Sequence, residues 1–173
     1  MVLDGAVYQF TTNALEKAPG GTSSVNVIIG ASSVELDNID SLGNLTIHRG
    51  DTFSVAITDL DDLSDYSKVY FTVKRKYDDT DADAIIMMEA TEGLTVLNGT
   101  AISGTGTYPD CSLTVAAGTG GDITIVLSEE VTSALEARET WVYDIQMIKT
   151  DGTVHTLGYG KVTVNKDVTQ AIT

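Results

Sequence analysis

Apolar and polar positions alternate with a period of two along residues 44–76, NLTIHRGDTFSVAITDLDDLSDYSKVYFTVKRK. Phe53, Val55 and Ile57 take turns with Thr52, Ser54, Ala56 and Thr58, and Val69, Phe71 and Val73 with Lys68, Tyr70, Thr72 and Lys74. That period puts each apolar set on one face of a strand and each polar set on the other. Arg49-Gly50-Asp51 and the acidic segment 59–65 fit the connections, because Gly and Asp tolerate turn geometry and resist strand pairing. Strands joined by polar turns in this way read as a β-meander, the seed of an all-β domain.

The pattern returns downstream. Residues 85–90, IIMMEA, form a strand apolar on both faces, and a Glu92-Gly93 turn leads into 94–97. Residues 112–115 and 122–127 follow as strands, the second with Ile123, Ile125 and Leu127 on one side. Residues 140–149 place Trp141, Tyr143, Ile145 and Met147 on one face. Asp151-Gly152 signals a hairpin turn of type I′. Residues 154–158 and 161–164 close the series, with a bulge or kink expected where Gly158 and Gly160 bracket Tyr159. Residues 77–84, 98–109 and 116–121 are polar or glycine-rich and read as loops.

One helix is expected, over 128–139. Ser128 followed by Glu129 and Glu130 makes a helix start, and Val131, Ala134 and Leu135 form one apolar stripe of about three turns. Short strands at close spacing with one short helix predict an Ig-like antiparallel β-sandwich, with a small barrel as the alternative. Phe53, Val55, Ile57, Val69, Phe71, Val73, Ile123, Ile125, Trp141, Tyr143 and Ile145 are its expected core.

Residues 1–43 have a different character. Val2, Leu3, Val7, Tyr8 and Phe10, and a compact apolar run at 25–29, are separated by breakers such as KAPGGTSS. They read either as extra strands on the domain or as an arm that orders against a neighbouring subunit. The expected plan is an N-terminal arm or extra strands at 1–43, a sandwich domain at 44–166 and a C-terminal tail at 167–173.

Composition narrows the classes. The 173 residues hold 42% hydrophobic and 20% charged side chains, a globular balance. A formal charge of −15 disfavours nucleic acid and anionic membrane surfaces as partners, since both are bound through Lys and Arg. Cys111 is the one cysteine and reads as a small apolar filler. The N-terminus lacks a basic stretch before an apolar run, so no secretory signal is read, and no stretch approaches the ~20 apolar residues of a membrane span.

Candidate chemistry is sparse. His48 and His155 sit in expected strands without a metal-ligand spacing or a nucleophile motif. Asp79, Asp81 and Asp83 alternate in a D-x-D-x-D pattern and are the best metal candidates, since calcium favours several carboxylate oxygens in a loop. Ala84 stands where an EF-hand needs Gly and Ala90 where it needs Glu, so a solvated turn is expected there. Arg49-Gly50-Asp51 spells an adhesion tripeptide but reads as the glycine turn between two strands. No catalytic residue, cofactor or tight metal site is expected, and the chain reads as a scaffold, not an enzyme.

The ordered motifs IHRGDTFSVAITDL, KVYFTVKRK and WVYDIQMIKTDGTVHTLGYGKVTVNKDVTQ are similar to the β-sandwich modules of tailed-bacteriophage virion proteins, such as the N-terminal domain of baseplate upper proteins. The resemblance covers residues 44–170. It implies a non-enzymatic structural protein of the tail, baseplate, neck or head decoration, made in a host cytoplasm and carried in the virion. Its partners would be other virion proteins and copies of itself in a homo-oligomer, with no nucleic acid and no membrane. A carbohydrate-binding or adhesin-type sandwich is the alternative, set second because the aromatic residues do not cluster in one expected loop.

Overall fold

The computed structural model describes residues 38–40, 43–58, 60, 62–102, 107–118, 120–137 and 140–166. The apolar run at 25–29, the rest of segment 1–37 and the tail 167–173 lie outside the described residues. The elements are β1 (Leu45–His48), β2 (Phe53–Ile57), β3 (Tyr66–Lys74), β4 (Ile86–Glu89), β5 (Gly93–Leu97), β6 (Thr100–Ala101), β7 (Ser112–Ala116) and β8 (Asp122–Leu127), then helix α1 (Glu129–Ser133), β9 (Thr140–Lys149) and β10 (Val154–Asn165).

They form two sheets, a seven-stranded one ordered β1-β10-β9-β3-β4-β5-β6 and a three-stranded one ordered β2-β8-β7. One hydrophobic cluster unites their inner faces. All the expected core residues named above are buried in it, with Val69, Phe71, Val73, Ile123, Ile125 and Ile145 fully inaccessible. This is the expected all-β, two-sheet architecture. Every pairing between these strands is antiparallel except β1 with β10, which run parallel with Leu45 opposite Val162.

The expected meander is not there. β1 pairs with β10, β2 with β8, and β3 with β4 and β9, so these three consecutive strands do not bond to one another. Alternation records that one face of a strand is buried, and both sheets of a sandwich bury one face. The turn at Arg49-Gly50-Asp51 therefore carries the chain from the large sheet to the small one. The chain returns to the large sheet between β2 and β3, pinned where Leu60 N–H donates to Gly121 C=O at 3.0 Å and Leu63 N–H to Gly118 C=O at 3.1 Å.

Local chemistry accounts for the remaining differences. Helix α1 is capped as expected, with Ser128 Oγ accepting from Val131 N–H, but it ends at Ser133 and falls short of three turns. Its last carbonyls are taken by distant side chains, Arg49 Nε donating to Ser133 C=O at 2.8 Å and Asn98 Nδ2 to Ala134 C=O at 3.0 Å. The Asp151-Gly152 turn is not type I′, because only Gly152 has positive φ there. Part of the expected loop 98–109 is instead a tight hairpin: Asn98 (φ 50) and Gly99 (φ 72) join β5 to β6 with Leu97 opposite Thr100. The irregularity in β10 falls between Thr156 and Gly158, just before the expected glycine pair.

Candidate functional site

The three loop aspartates do not converge. Asp81 Oδ1 pairs with Lys74 Nζ at 2.7 Å, Asp79 Oδ2 accepts from Lys76 N–H at 3.0 Å, and Asp83 Oδ2 accepts from Thr80 Oγ1 at 2.7 Å. Among the described residues no group of three or more His, Cys, Asp or Glu is placed to hold a metal ion. His48 lies opposite Asn165 and His155 opposite Met147, so most of β10 separates them. Cys111 is buried with its Sγ accepting from Ser128 N–H at 3.3 Å. The Arg49-Gly50-Asp51 tripeptide is tied into the fold: Gly50 N–H donates to Thr132 Oγ1 at 3.2 Å, and that hydroxyl donates to Asp51 C=O at 2.8 Å.

The outer face of the seven-stranded sheet brings together side chains that are scattered in sequence. Directly opposite residues in antiparallel strands project to the same face. One such row runs Tyr159 on β10, Asp144 on β9, Thr72 on β3 and Met87 on β4, and a second runs Lys161, Val142 and Lys74. Between the rows lies a shallow depression of about 50 Å³, lined by Thr72, Lys74, Tyr77, Val142, Tyr143 and Asp144. Tyr77 lines it, and Tyr159 stands on the neighbouring strand opposite Asp144; at 67% and 70% exposed they are the two most exposed large hydrophobic side chains among the described residues.

Asp144 is the carboxylate of these two rows, which also carry Lys74 and Lys161. Its carboxyl is pushed above the usual range by burial, against the opposing pull of a hydrogen bond from Gln146 Nε2 at 2.7 Å and the nearby Lys74 ammonium. Lys74 itself is paired with Asp81 at 2.7 Å and acts on Asp144 through its charge. The raised pKa means that burial disfavours the charged form of Asp144 in the fold relative to the unfolded chain.

A second surface lies where the chain enters the sandwich. Ile39 bridges to Leu45, Thr46 N–H donates to Asn38 C=O at 2.8 Å, and Asn38 Nδ2 donates to Ser54 C=O at 2.9 Å. Asp40 holds the return: its Oδ1 accepts from Asn44 N–H at 2.8 Å and its Oδ2 from Asn44 Nδ2 at 3.0 Å. Gly43 C=O then accepts from the Tyr143 hydroxyl. Residues 38–40 and 43, read from the sequence with the N-terminal segment, are thus bonded to β1, β2 and β9. β1 and β2 are each the last strand at one end of their sheets.

Sequence reasoning did not single out Asp144, Tyr77 or Tyr159. Asp144 carries a legible signal, as a carboxylate inside the apolar run WVYDIQM, whereas the grouping of the tyrosines depends on pairing across β9 and β10. No protein-family model matches the sequence, and no curated protein matches it.

Proposed function

We propose that this chain is a non-enzymatic structural and assembly protein of a bacteriophage particle, in the tail, baseplate, neck or head decoration. It works through contacts with copies of itself and with neighbouring virion proteins; in this reading it is made in the host cytoplasm and resides in the virion. The observation that carries the assembly role is the bonding of residues 38–40 to both β1 and β2. Segment 1–37, with its apolar run at 25–29, precedes these residues in sequence, and β1 and β2 are edge strands. Sheet edges present unpaired N–H and C=O groups, and strand addition from an arriving segment satisfies them while side-chain pockets supply specificity. The phage context is supported by the motif resemblance over residues 44–170, and symmetric particles assemble by repeating such contacts between copies.

The test is removal of residues 1–37, which spares the bonds made by Asn38, Ile39 and Asp40. Light scattering coupled to size exclusion then compares the truncated and full chains, and an antibody to the folded domain is applied to purified phage particles. The truncated chain is expected to fold and stay monomeric, while the full chain associates and the antibody labels the particle. Equal assembly by both chains defeats the arm, and unlabelled particles defeat the virion assignment.

A further inference from the structure

We propose that the outer face of the seven-stranded sheet binds a neutral carbohydrate at the depression lined by Tyr77 and Asp144, beside Tyr159. The inference is independent of the assembly role, and its failure leaves that role untouched. A pyranose has one face of C–H groups and a rim of hydroxyls, so it binds where an exposed aromatic ring lies next to charged or amide groups able to reach those hydroxyls. Both parts are present. Tyr159 is 70% exposed and directly opposite Asp144, and Tyr77, 67% exposed, lines the same depression as Asp144, Lys74 and Thr72.

The size of the depression points the same way. At about 50 Å³ it has room for a few water-sized groups. Sugar hydroxyls would enter it while the ring rests on the exposed tyrosines. There Asp144 and Thr72 can accept a hydrogen bond and Lys74 can donate one. The amide of Gln146 is fixed on Asp144, which holds the carboxylate in place.

Other ligand classes fit less well. A phosphorylated or otherwise anionic ligand meets the Asp144 carboxylate, a Lys74 already paired with Asp81, and a chain of net charge −15. An apolar protein partner would require a wider hydrophobic face. Thr156 and Lys161, the exposed neighbours along β10, are polar. The half-buried carboxylate, opposite an exposed tyrosine and lining the depression, also matches a site kept for binding.

The experiment uses the full chain in native gels containing dextran, mannan, xylan or glucomannan. Saturation-transfer NMR with maltohexaose, cellohexaose and chitohexaose accompanies it. At least one probe is expected to bind, with Tyr159→Ala and Tyr77→Ala each weakening it by about ten-fold through loss of a ring contact. Asp144→Asn should weaken it as well, and Val154→Ala, an exposed change nearer the start of β10, should not. All variants change exposed or half-exposed side chains, and circular dichroism verifies their fold. The proposal is overturned if no probe binds, or if binding survives the tyrosine substitutions. It is also overturned if those substitutions instead abolish self-association in the absence of sugar, which would make the face a protein interface.

Discussion

Tyr143 joins three parts of the molecule at one side chain. Its ring packs on Phe71 with centroids 5.7 Å apart, its hydroxyl donates to Gly43 C=O, and it fills the space a Cβ on Gly160 would need. A methyl at Gly160 would lie 2.9 Å from Tyr143 Cε1 and 2.7 Å from Gly43 O, which explains a glycine there. Burial, with a contribution from Asp40, pushes the phenol up to about 12. The unfolded phenol ionises near ~10. Between those values the unfolded chain releases a proton that the folded chain keeps, so stability is full below the lower value and falls as pH climbs toward the upper. Unfolding in urea across alkaline pH should therefore show a steeper loss for the natural chain than for Tyr143→Phe; identical slopes would refute this. Phe71 is fully buried, and Phe71→Ala should cost about 3–5 kcal/mol in the same assay, with a cost below about 1 kcal/mol counting against its place in the core.

Among the elements, the hairpins and α1 show how much turn chemistry decides. Asn98-Gly99 is a strong hairpin signal, and the type I′ turn it forms defines the β5–β6 pairing inside a stretch that otherwise reads as loop. A Cβ on Gly99 would meet only Ala82 O at 3.7 Å, an ordinary contact, so the constraint there is the backbone angle of φ 72. Gly99→Ala should accordingly destabilise by roughly 1–2 kcal/mol, measured by thermal or urea unfolding, and a neutral effect would mean the turn relaxes to another type. At the β4–β5 turn, Glu89 is only 2% exposed and its Oε2 accepts from Thr91 N–H, Thr91 Oγ1 and Glu92 N–H. Periodicity cannot foresee that a carboxylate ends an apolar strand by folding onto its own turn. Helix α1 is likewise short for a non-local reason, since Arg49 and Asn98 cap its carbonyls from other parts of the chain.

Across the whole molecule, two features act at once. The first is the crossing between sheets: Gly121 makes room for Leu63, whose side chain would lie 2.8 Å from an added Cβ, and the loop backbones bond alongside. The second is a formal charge of −15, which is self-repelling in the compact state. Screening shortens the reach of that repulsion from about 30 Å at 0.01 M salt to about 10 Å at 0.1 M. The melting temperature should thus rise with sodium chloride over that range, by scanning calorimetry, and a fall would show that ion pairs such as Lys74–Asp81 outweigh the net charge.

The residue order alone determined which side chains are inside. Period-two alternation is a local property, and Val69, Phe71, Val73, Trp141, Tyr143 and Ile145 could be assigned to a buried face without knowing any partner strand. It also determined the Ser128 cap and the glycine turn at residue 50, which depend on neighbours a few positions away. Only the tertiary structure decided which strand lies beside which. β1, β2 and β3 look alike in pattern, yet they divide between two sheets, because backbone hydrogen bonds carry no side-chain label. The same pairing put Tyr159 opposite Asp144, and the packing beside it brought Tyr77 to the same depression; neither tyrosine is near Asp144 in sequence, and register across strands is what makes a surface from them.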